Sequence, residues 1–447
     1  MEPISRHRYW TYDYRPTVFS DRPRLEPGVN VFSVVPIDNG LAQRLADDAG
    51  GAAYLDGHYS VIRSNETGGA YLTEAAQWFG QSAVQLAGVD HLAKTWAWLN
   101  QAIAHYWKDP RVYLLATPST AGRDLWLRTI PPGGEGWLTL PAALQETIRA
   151  DAHQGRVQTM PAATETITGL VEYDIRLAYV AVSRGLPAGK PQWRNRPPAT
   201  VLDAGVPSRH WVRFAVPDTW RHVGLLPVKT MGGAWSYPTE GEHETVIDGA
   251  ELALALRNGW RVEITKSLVW PTTGDPFRTF FDRLLRILVD ARRHSELTQH
   301  LVRSAVRAMA LHTIGAMHGA PHKVTRTGAP SQVPDDADNI RLLDGGGVQW
   351  VELAAAAWPE TCHPEWSAHI WARNRRRLLD HPTIGGVLSV PVENVVGVRT
   401  DAVYLTSETG WENADTGKPG AWVRKRTIDG PLPWPASNSE LLKMRGN

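Results

Sequence analysis

Two aspartates lie in otherwise apolar segments that are far apart in the chain, and their type could support metal chemistry. Asp174 lies within Val171–Tyr179, and Asp401 lies within Val395–Leu405. A carboxylate in apolar surroundings is costly to bury unless a cation or a hydrogen-bond donor pairs with it. Converging carboxylates can hold two divalent ions that catalyse phosphoryl transfer. We therefore predict that Asp174 and Asp401 form a two-metal site with Mg²⁺, or Mn²⁺, as the cofactor.

Other catalytic arrangements find no support in the sequence. The chain has 16 histidines but no His-Glu-x-x-His zinc motif, and it has no Gly-x-x-x-x-Gly-Lys-Ser/Thr phosphate loop. Cys362 is the single cysteine, which excludes a disulfide framework and a cysteine zinc site. A lone aspartate at a strand end is usually a turn or cap residue, so the prediction depends on the pair.

The composition is that of a globular protein with a large core. Of the 447 residues, 43% are hydrophobic and 21% are charged, and the formal net charge is +1. The overall charge therefore gives no argument for nucleic acid. Most of the 20 tryptophans are expected in the core. No signal-peptide pattern and no apolar run of about 20 residues is present. We expect a cytoplasmic protein without a membrane partner.

The periodicity predicts the elements that carry these aspartates. A strand leading into a helix is predicted for residues 165–184, and a β-hairpin with residues 399–402 at its tip is predicted for 395–405. Asp248 is expected to cap a helix that stops at Gly259. Further predicted elements are a strand at 260–270, helices over 277–288, from 301 to near Gly315 and over 364–380, a Gly/Pro/Asp-rich separating stretch at 319–338, and a hairpin turn at Asp344–Gly347.

The order and spacing of these segments resemble the palm of family B DNA polymerases. The first palm motif of that family is Asp, two residues, then Ser-Leu-Tyr-Pro, of which this chain keeps Asp174 and Tyr179. The third motif is Asp-Thr-Asp-Ser, of which the second aspartate is Asp401, while Arg399 stands in place of the first. The resemblance implies that Asp174 and Asp401 are the catalytic metal ligands. It also implies that Tyr179 is the steric gate beneath the sugar of the incoming nucleotide.

The segment from Arg307 to Gly315 has the length of the family's fingers motif, Lys, three residues, Asn-Ser, one residue, Tyr-Gly. Arg307 stands at the position of the lysine that binds the triphosphate. Arg303 lies four residues earlier and therefore on the same helix face. The resemblance implies that both arginines bind the nucleotide.

Three further matches imply contacts with DNA. Arg156, in a Gln-Gly-Arg segment, corresponds to a template contact, and Lys418 resembles a primer-strand contact. Arg373 belongs to the basic run Arg373–Arg377, which is more often a solvated helix face than a DNA contact. The resemblance covers about residues 150–425 and is carried by the order of the motifs together.

The fold that the resemblance implies is α+β: a right-hand polymerase with an antiparallel-sheet palm, a helical-hairpin fingers region, a small thumb and an N-terminal α/β domain. The predicted domains are residues 1–72, an N-terminal domain that is a degenerate exonuclease-like remnant or an unrelated fold; 73–150, a helical connecting region; 151–270, the first part of the palm; 271–320, the fingers helices; 321–407, the second part of the palm; and 408–447, a reduced thumb and C-terminal segment.

The implied function is that of a DNA-directed DNA polymerase, with template–primer DNA and dNTPs as partners. Family analogy adds a priming protein to these partners. Proofreading enzymes of the family carry an Asp-x-Glu strand, which residues 1–72 lack, and Asp13, Asp38 and Asp56 form no recognisable set. We therefore expect no proofreading exonuclease.

Two alternatives remain open at the level of sequence. Arg399 and the altered fingers motif favour a catalytically impaired, polymerase-derived module that binds DNA or a protein partner. A third interpretation is an unrelated α/β enzyme that uses its tryptophans to bind a sugar or an aromatic ligand. Metal-dependent nucleotide incorporation distinguishes the polymerase from the catalytically impaired module.

Overall fold

The computed structural model describes residues 16–444, apart from 27, 39, 42–43, 46–53, 57–59, 64–69, 116, 131–136, 196–204, 320–321, 335–336, 343–346, 355–360 and 415–416. Asp13 and most of the expected turn at Asp344–Gly347 lie outside the described residues. Within those described, no helix is long and apolar enough to cross a membrane.

The described residues form 21 strands and ten α-helices. The strands are β1 Thr17–Ser20, β2 Asn30–Ser33, β3 Tyr54–Asp56, β4 Ser60–Arg63, β5 Ala70–Glu74, β6 Val157–Thr159, β7 Thr166–Ile175, β8 Leu186–Ala188, β9 Gln192–Arg194, β10 Ser208–Ala215, β11 Val228–Lys229, β12 Trp235–Ser236, β13 Glu242–Asp248, β14 Arg261–Val269, β15 Thr272–Gly274, β16 His322–Gly328, β17 Asp338–Leu342, β18 Val348–Ala354, β19 Val395–Arg399, β20 Ala402–Leu405 and β21 Trp422–Pro433. The helices are α1 Ala76–Phe79, α2 Gln81–Trp107, α3 Pro118–Leu127, α4 Ala142–Ala150, α5 Ala178–Ala181, α6 Gly249–Arg257, α7 Arg278–Ala291, α8 Glu296–His318, α9 Pro364–Leu379 and α10 Asn438–Lys443.

The chain divides into two compact units, each built from separate segments. Within the described residues, the N-terminal unit lies in 4–136 and 279–362, and the C-terminal unit lies in 137–278 and 363–447. The candidate metal ligands Asp174 and Asp401 both belong to the C-terminal unit.

An eight-stranded sheet of order β1-β2-β5-β4-β3-β16-β18-β17 organises the N-terminal unit. Strands β1, β2 and β5 pair in parallel, and the other neighbours are antiparallel. Trp96 of α2 packs against Phe32 and Trp78 with ring centroids 4.8 and 4.9 Å apart. These aromatic rings belong to the core, as the composition predicts. Strand β16 lies inside the stretch 319–338, so the interpretation of that stretch as a mere separator is wrong.

Helix α8 packs closely on α3 in the same unit. A Cβ at Gly122 of α3 would lie 1.9 Å from the Thr313 Oγ1, so only glycine permits this approach. The predicted end of α8 near Gly315 is wrong, because the helix continues to His318. It ends at Gly319, whose φ of 65° provides the left-handed cap that typically stops a helix.

The C-terminal unit is built on a five-stranded antiparallel sheet of order β21-β7-β20-β19-β6 and a four-stranded sheet of order β13-β10-β14-β9. The predicted strand and helix at 165–184 are confirmed as β7 and the short helix α5. The predicted hairpin at 395–405 is confirmed as β19 and β20. These predictions are confirmed because they depend on the alternation of apolar and polar residues and on turn residues, which are both patterns within a few neighbouring positions.

Helix α6 begins as the sequence predicts. The Asp248 carboxylate accepts a hydrogen bond from the Ala250 N–H at 2.9 Å, and Glu251 completes the capping box. Gly259 follows the helix with φ of 77°, as expected for its stop. Strand β14 and helix α9 then confirm the strand predicted at 260–270 and the helix predicted at 364–380.

Candidate functional site

Strand pairing brings Asp174 and Asp401 to neighbouring positions at one end of the five-stranded sheet. Asp174 of β7 lies directly opposite Ala402 of β20. Asp401 precedes Ala402, and its backbone carbonyl accepts a hydrogen bond of 3.0 Å from the Ile175 N–H. Opposed residues in antiparallel strands have Cα atoms about 5 Å apart. The juxtaposition on which the sequence prediction rested is therefore present in the backbone.

The turn that carries Asp401 is held in an uncommon backbone conformation. Thr400 has φ of 53°, a value that β-branched residues rarely adopt. Its N–H donates to the Arg156 carbonyl at 2.6 Å, and its carbonyl accepts from the Asn374 amide at 3.5 Å. Such strain persists only where the surroundings fix it, and it concentrates at functional sites. Contacts from Arg156, directly before β6, and from Asn374 of α9 thus fix the position of Asp401.

Lys425 of β21 neutralises Asp174. Its Nζ lies 2.9 Å from the Asp174 Oδ2. The other carboxylate oxygen, Oδ1, is buried and has no hydrogen-bond partner within the described residues. Sequence reasoning missed Lys425, because the strand that bears it had been assigned to a thumb segment. The basic run Arg424–Arg426 was the available signal.

A second buried carboxylate lies two residues before Asp174. Glu172 shares the sheet face of Asp174, because side chains alternate along a strand. Its Oε2 lies 2.6 Å from the Arg426 Nε, and its Oε1 lies 3.9 Å from the Lys425 Nζ. Adjacent cations of β21 therefore compensate two carboxylates of β7. Sequence analysis did not single out Glu172.

The donor atoms at Asp174 and Asp401 suit a hard divalent cation. Mg²⁺ takes one or two carboxylates together with substrate oxygens and water, so two aspartates suffice. The buried, unpartnered Oδ1 of Asp174 is an acceptor that a cation would satisfy. No group of three or more His, Cys, Asp or Glu that could hold a metal occurs among the described residues. The residues present therefore fit a metal whose remaining ligands come from elsewhere, with Lys425 as its competitor at Oδ2.

Tyr179 lies in α5, just beyond the strand that carries Asp174. Leu177, at the start of this helix, has φ of 45°, so the chain turns sharply after β7. The Tyr179 side chain is 2% exposed and forms part of the core. Its place next to the end of β7 agrees with the sequence, and its steric-gate role stays a prediction.

Arg156, which the resemblance assigns to a template contact, is buried in this structure, and its role toward DNA stays a prediction. Arg156 is 1% exposed and its guanidinium lies 4.1 Å from the centre of the Tyr237 ring. It donates to the Gly224 carbonyl at 2.5 Å and to the Gln158 side chain. Burial lowers its pKa to about 10. A guanidinium enclosed in this way is part of the packing and is not accessible to a phosphate.

The remaining basic residues lie on three different elements. Arg303 and Arg307 are four residues apart in α8, which belongs to the N-terminal unit. Lys418 is exposed in the loop before β21. Arg373 of α9 donates a hydrogen bond to the Arg184 carbonyl. Their roles toward nucleotide or DNA stay predictions.

With the strand order and the positions of both aspartates described, the fold can be compared with solved structures. Structures of phi29 DNA polymerase are among those that match it. They include an orthorhombic crystal form (TM-score 0.61, 13% identity) and complexes with primer-template DNA (0.59, 12%) and with primer-template DNA and incoming nucleotides (0.60, 12%). Each match covers 90% of this chain and 76% of the other.

No protein-family model matches the chain, and no curated protein matches it. At 12–13% identity, the likeness to the phi29 polymerase structures concerns the fold alone. What the chain does must therefore be argued from its own residues.

Proposed function

We propose that the chain is a DNA-directed DNA polymerase that adds dNTPs to a primer 3′ end. The observation that carries the proposal is the juxtaposition of Asp174 and Asp401 through the pairing of β7 with β20. The phi29 polymerase-like fold supports it, because complexes of that protein contain primer-template DNA and incoming nucleotides. In this proposal the enzyme is of the family B type, lacks proofreading and has a priming protein as a further partner.

Each predicted residue has a separate task in this proposal. Asp174 and Asp401 hold two Mg²⁺ or Mn²⁺ ions, which supply activation of the attacking hydroxyl and neutralisation of the triphosphate. Arg307, helped by Arg303, binds the triphosphate, and Tyr179 selects the deoxy sugar. Lys418 and Arg373 contact the DNA backbone.

Primer extension with Mg²⁺ and with Mn²⁺ tests the proposal. The wild-type chain should extend a primer, and Asp174→Asn and Asp401→Asn should each abolish extension. Asp429→Asn is the matched control, because Asp429 is an exposed carboxylate of β21 and should retain full activity. Extension that survives Asp174→Asn, or no extension with either metal, would refute the proposal.

The second candidate is a catalytically impaired module that binds DNA. The ion pair between Lys425 and Asp174 favours it, because an ammonium group already satisfies one carboxylate oxygen of the proposed metal ligand. Arg399 at the hairpin, in place of the family's first aspartate, favours it as well. Retained binding of a labelled primer–template without extension would select this candidate.

A further inference from the structure

The C-terminal unit contains an arginine-rich cavity of about 410 Å³. Helices α6 and α9 and the segment after α5 contribute to its wall. Among the residues that the structure describes, the lining contains five arginines and two aspartates: Arg184, Arg257, Arg373, Arg376 and Arg377 with Asp248 and Asp380. Neither Asp174 nor Asp401 belongs to the lining. The cavity is therefore distinct from the proposed metal site.

The arginines of this cavity are only partly compensated by carboxylates. Asp380 is shared by Arg257, at 2.7 Å, and Arg376, at 3.3 Å, and Arg184 lies 3.5 Å from Asp275. Arg377 donates to the Gly420 carbonyl at 3.0 Å, and Arg373 donates to a backbone carbonyl as well. Guanidinium groups that are held close together without matching carboxylates repel one another, and an anion between them relieves this repulsion.

A buried histidine adds a second, independent sign of a ligand. His369 is 4% exposed and lines the cavity, and its Nδ1 pairs with the Asp248 carboxylate. Its Nε2 is buried and has no hydrogen-bond partner among the described residues. Burial lowers the pKa of His369. The Asp248 carboxylate opposes this shift, whereas Arg373 and Arg209 add to it. In a neutral ring whose Nδ1 donates to Asp248, the Nε2 is an acceptor that requires a donor.

We infer that this cavity binds a phosphorylated small molecule of the nucleoside phosphate class. The arginines suit the phosphate, because guanidinium groups bind phosphate oxygens through paired hydrogen bonds. The His369 Nε2 would accept a hydrogen bond from a hydroxyl or N–H group of the same ligand. A volume of about 410 Å³ is typical of small-molecule sites.

A free ligand fits these observations better than the backbone of a nucleic acid. The unpartnered Nε2 lies on a residue that is almost fully buried, whereas a strand passing over the surface reaches only the exposed rim. Arg373 is shared between this cavity and the proposed DNA contacts. The cavity is therefore tested through Arg376 and Ala253, which line it and have no role in the proposed polymerase reaction.

Isothermal titration calorimetry in EDTA tests the inference, with inorganic phosphate, pyrophosphate, dAMP and dATP as probes. All titrations use Asp174→Asn as the background, so that a metal-dependent catalytic site cannot contribute. We expect saturable binding that Arg376→Gln and Ala253→Phe each weaken at least tenfold. Arg213→Gln is the matched control, because this exposed arginine is also ion-paired, to Glu244 at 2.6 Å. Thermal unfolding confirms that each variant is folded.

Each outcome decides the inference. Absence of binding for every probe, or binding that neither Arg376→Gln nor Ala253→Phe weakens, overturns it. Binding of single-stranded DNA that Arg376→Gln abolishes, without binding of the free phosphates, overturns it in favour of a backbone contact. His369→Phe should weaken the binding of dAMP more than the binding of inorganic phosphate, because dAMP carries a sugar hydroxyl and inorganic phosphate does not. These titrations contain no metal, so a failure of primer extension does not affect them. The polymerase function and the phosphate-binding cavity can therefore be refuted independently of each other.

Discussion

Lys425→Met should increase the affinity of the Asp174 site for divalent metal. The substitution removes an ammonium group that lies 2.9 Å from the Asp174 Oδ2 and keeps an unbranched side chain of similar length. The Lys425 side chain is 36% exposed, whereas that of Asp174 is 14% exposed. A metal that binds Asp174 would therefore compete with a partner that is itself about one third exposed to water.

The size of the effect follows from this geometry. At 2.9 Å, two unit charges attract each other by about 6 kcal/mol at an effective dielectric constant of about 20. Lost hydration and ordering of the lysine cancel most of this attraction, so that exposed pairs retain about 0–1 kcal/mol and hydrogen bonds to charged groups about 1.5–3 kcal/mol. We take about 1–2 kcal/mol for this partly exposed pair, which corresponds to a roughly 5- to 30-fold lower Kd for metal.

Electron paramagnetic resonance of Mn²⁺ with the metal-free protein measures this Kd directly. Lys443→Met is the matched control, because Lys443 is an exposed lysine of α10 and should leave the Kd unchanged. Adding Asp174→Asn to Lys425→Met should remove the gain. An unchanged Kd in Lys425→Met, or a gain that persists without Asp174, would refute the competition between lysine and metal.

Four further predictions concern the other assigned residues. Arg307→Ala should raise the KM for dNTP more than it weakens DNA binding, in steady-state primer extension; an unchanged KM removes its role. Tyr179→Val should admit ribonucleotides, because the added 2′-hydroxyl no longer overlaps a ring; incorporation of NTPs by the wild type contradicts the steric gate. The pure protein should not degrade labelled single-stranded DNA from its 3′ end; metal-dependent degradation that is lost on mutating Asp38 would show otherwise. Arg156→Ala should lower the free energy of unfolding by about 2–4 kcal/mol in urea, because it empties a buried site; a change confined to DNA affinity would contradict its structural role.

The parts of the site that were predictable depend on short stretches of chain. Strand β7 and the hairpin of β19 and β20 follow from alternating apolar residues and turn residues within about ten positions. The Asp248 cap follows from one side chain and the helix pattern directly after it. That Asp174 and Asp401 come together was expected from the resemblance, and local periodicity alone could not have given it.

The parts that sequence reasoning missed depend on contacts between distant residues. Lys425 meets Asp174 only because β21 pairs with β7, and the register of that pairing shifts between Arg424 and Arg426. A single-residue change of register would place Lys425 on the opposite sheet face. Arg156 is enclosed by Gly224 and Tyr237, which lie far along the chain. No local pattern distinguishes such an arginine from an exposed one.

The pair of Lys425 and Asp174 also separates the two candidate functions. If the chain is a polymerase, Lys425 would compete with a metal for Asp174, so Lys425→Met should bind metal more tightly while nucleotide incorporation remains dependent on Asp174 and Asp401. In an impaired binding module, the same variant should gain metal affinity without gaining incorporation, because the hairpin still carries Arg399 beside Asp401. Metal titration and primer extension of this one variant therefore give different combinations of results for the two functions. If Lys425→Met loses DNA binding while its metal affinity is unchanged, the competition between lysine and metal is refuted, since Lys425 would then act on DNA and not on the Asp174 carboxylate.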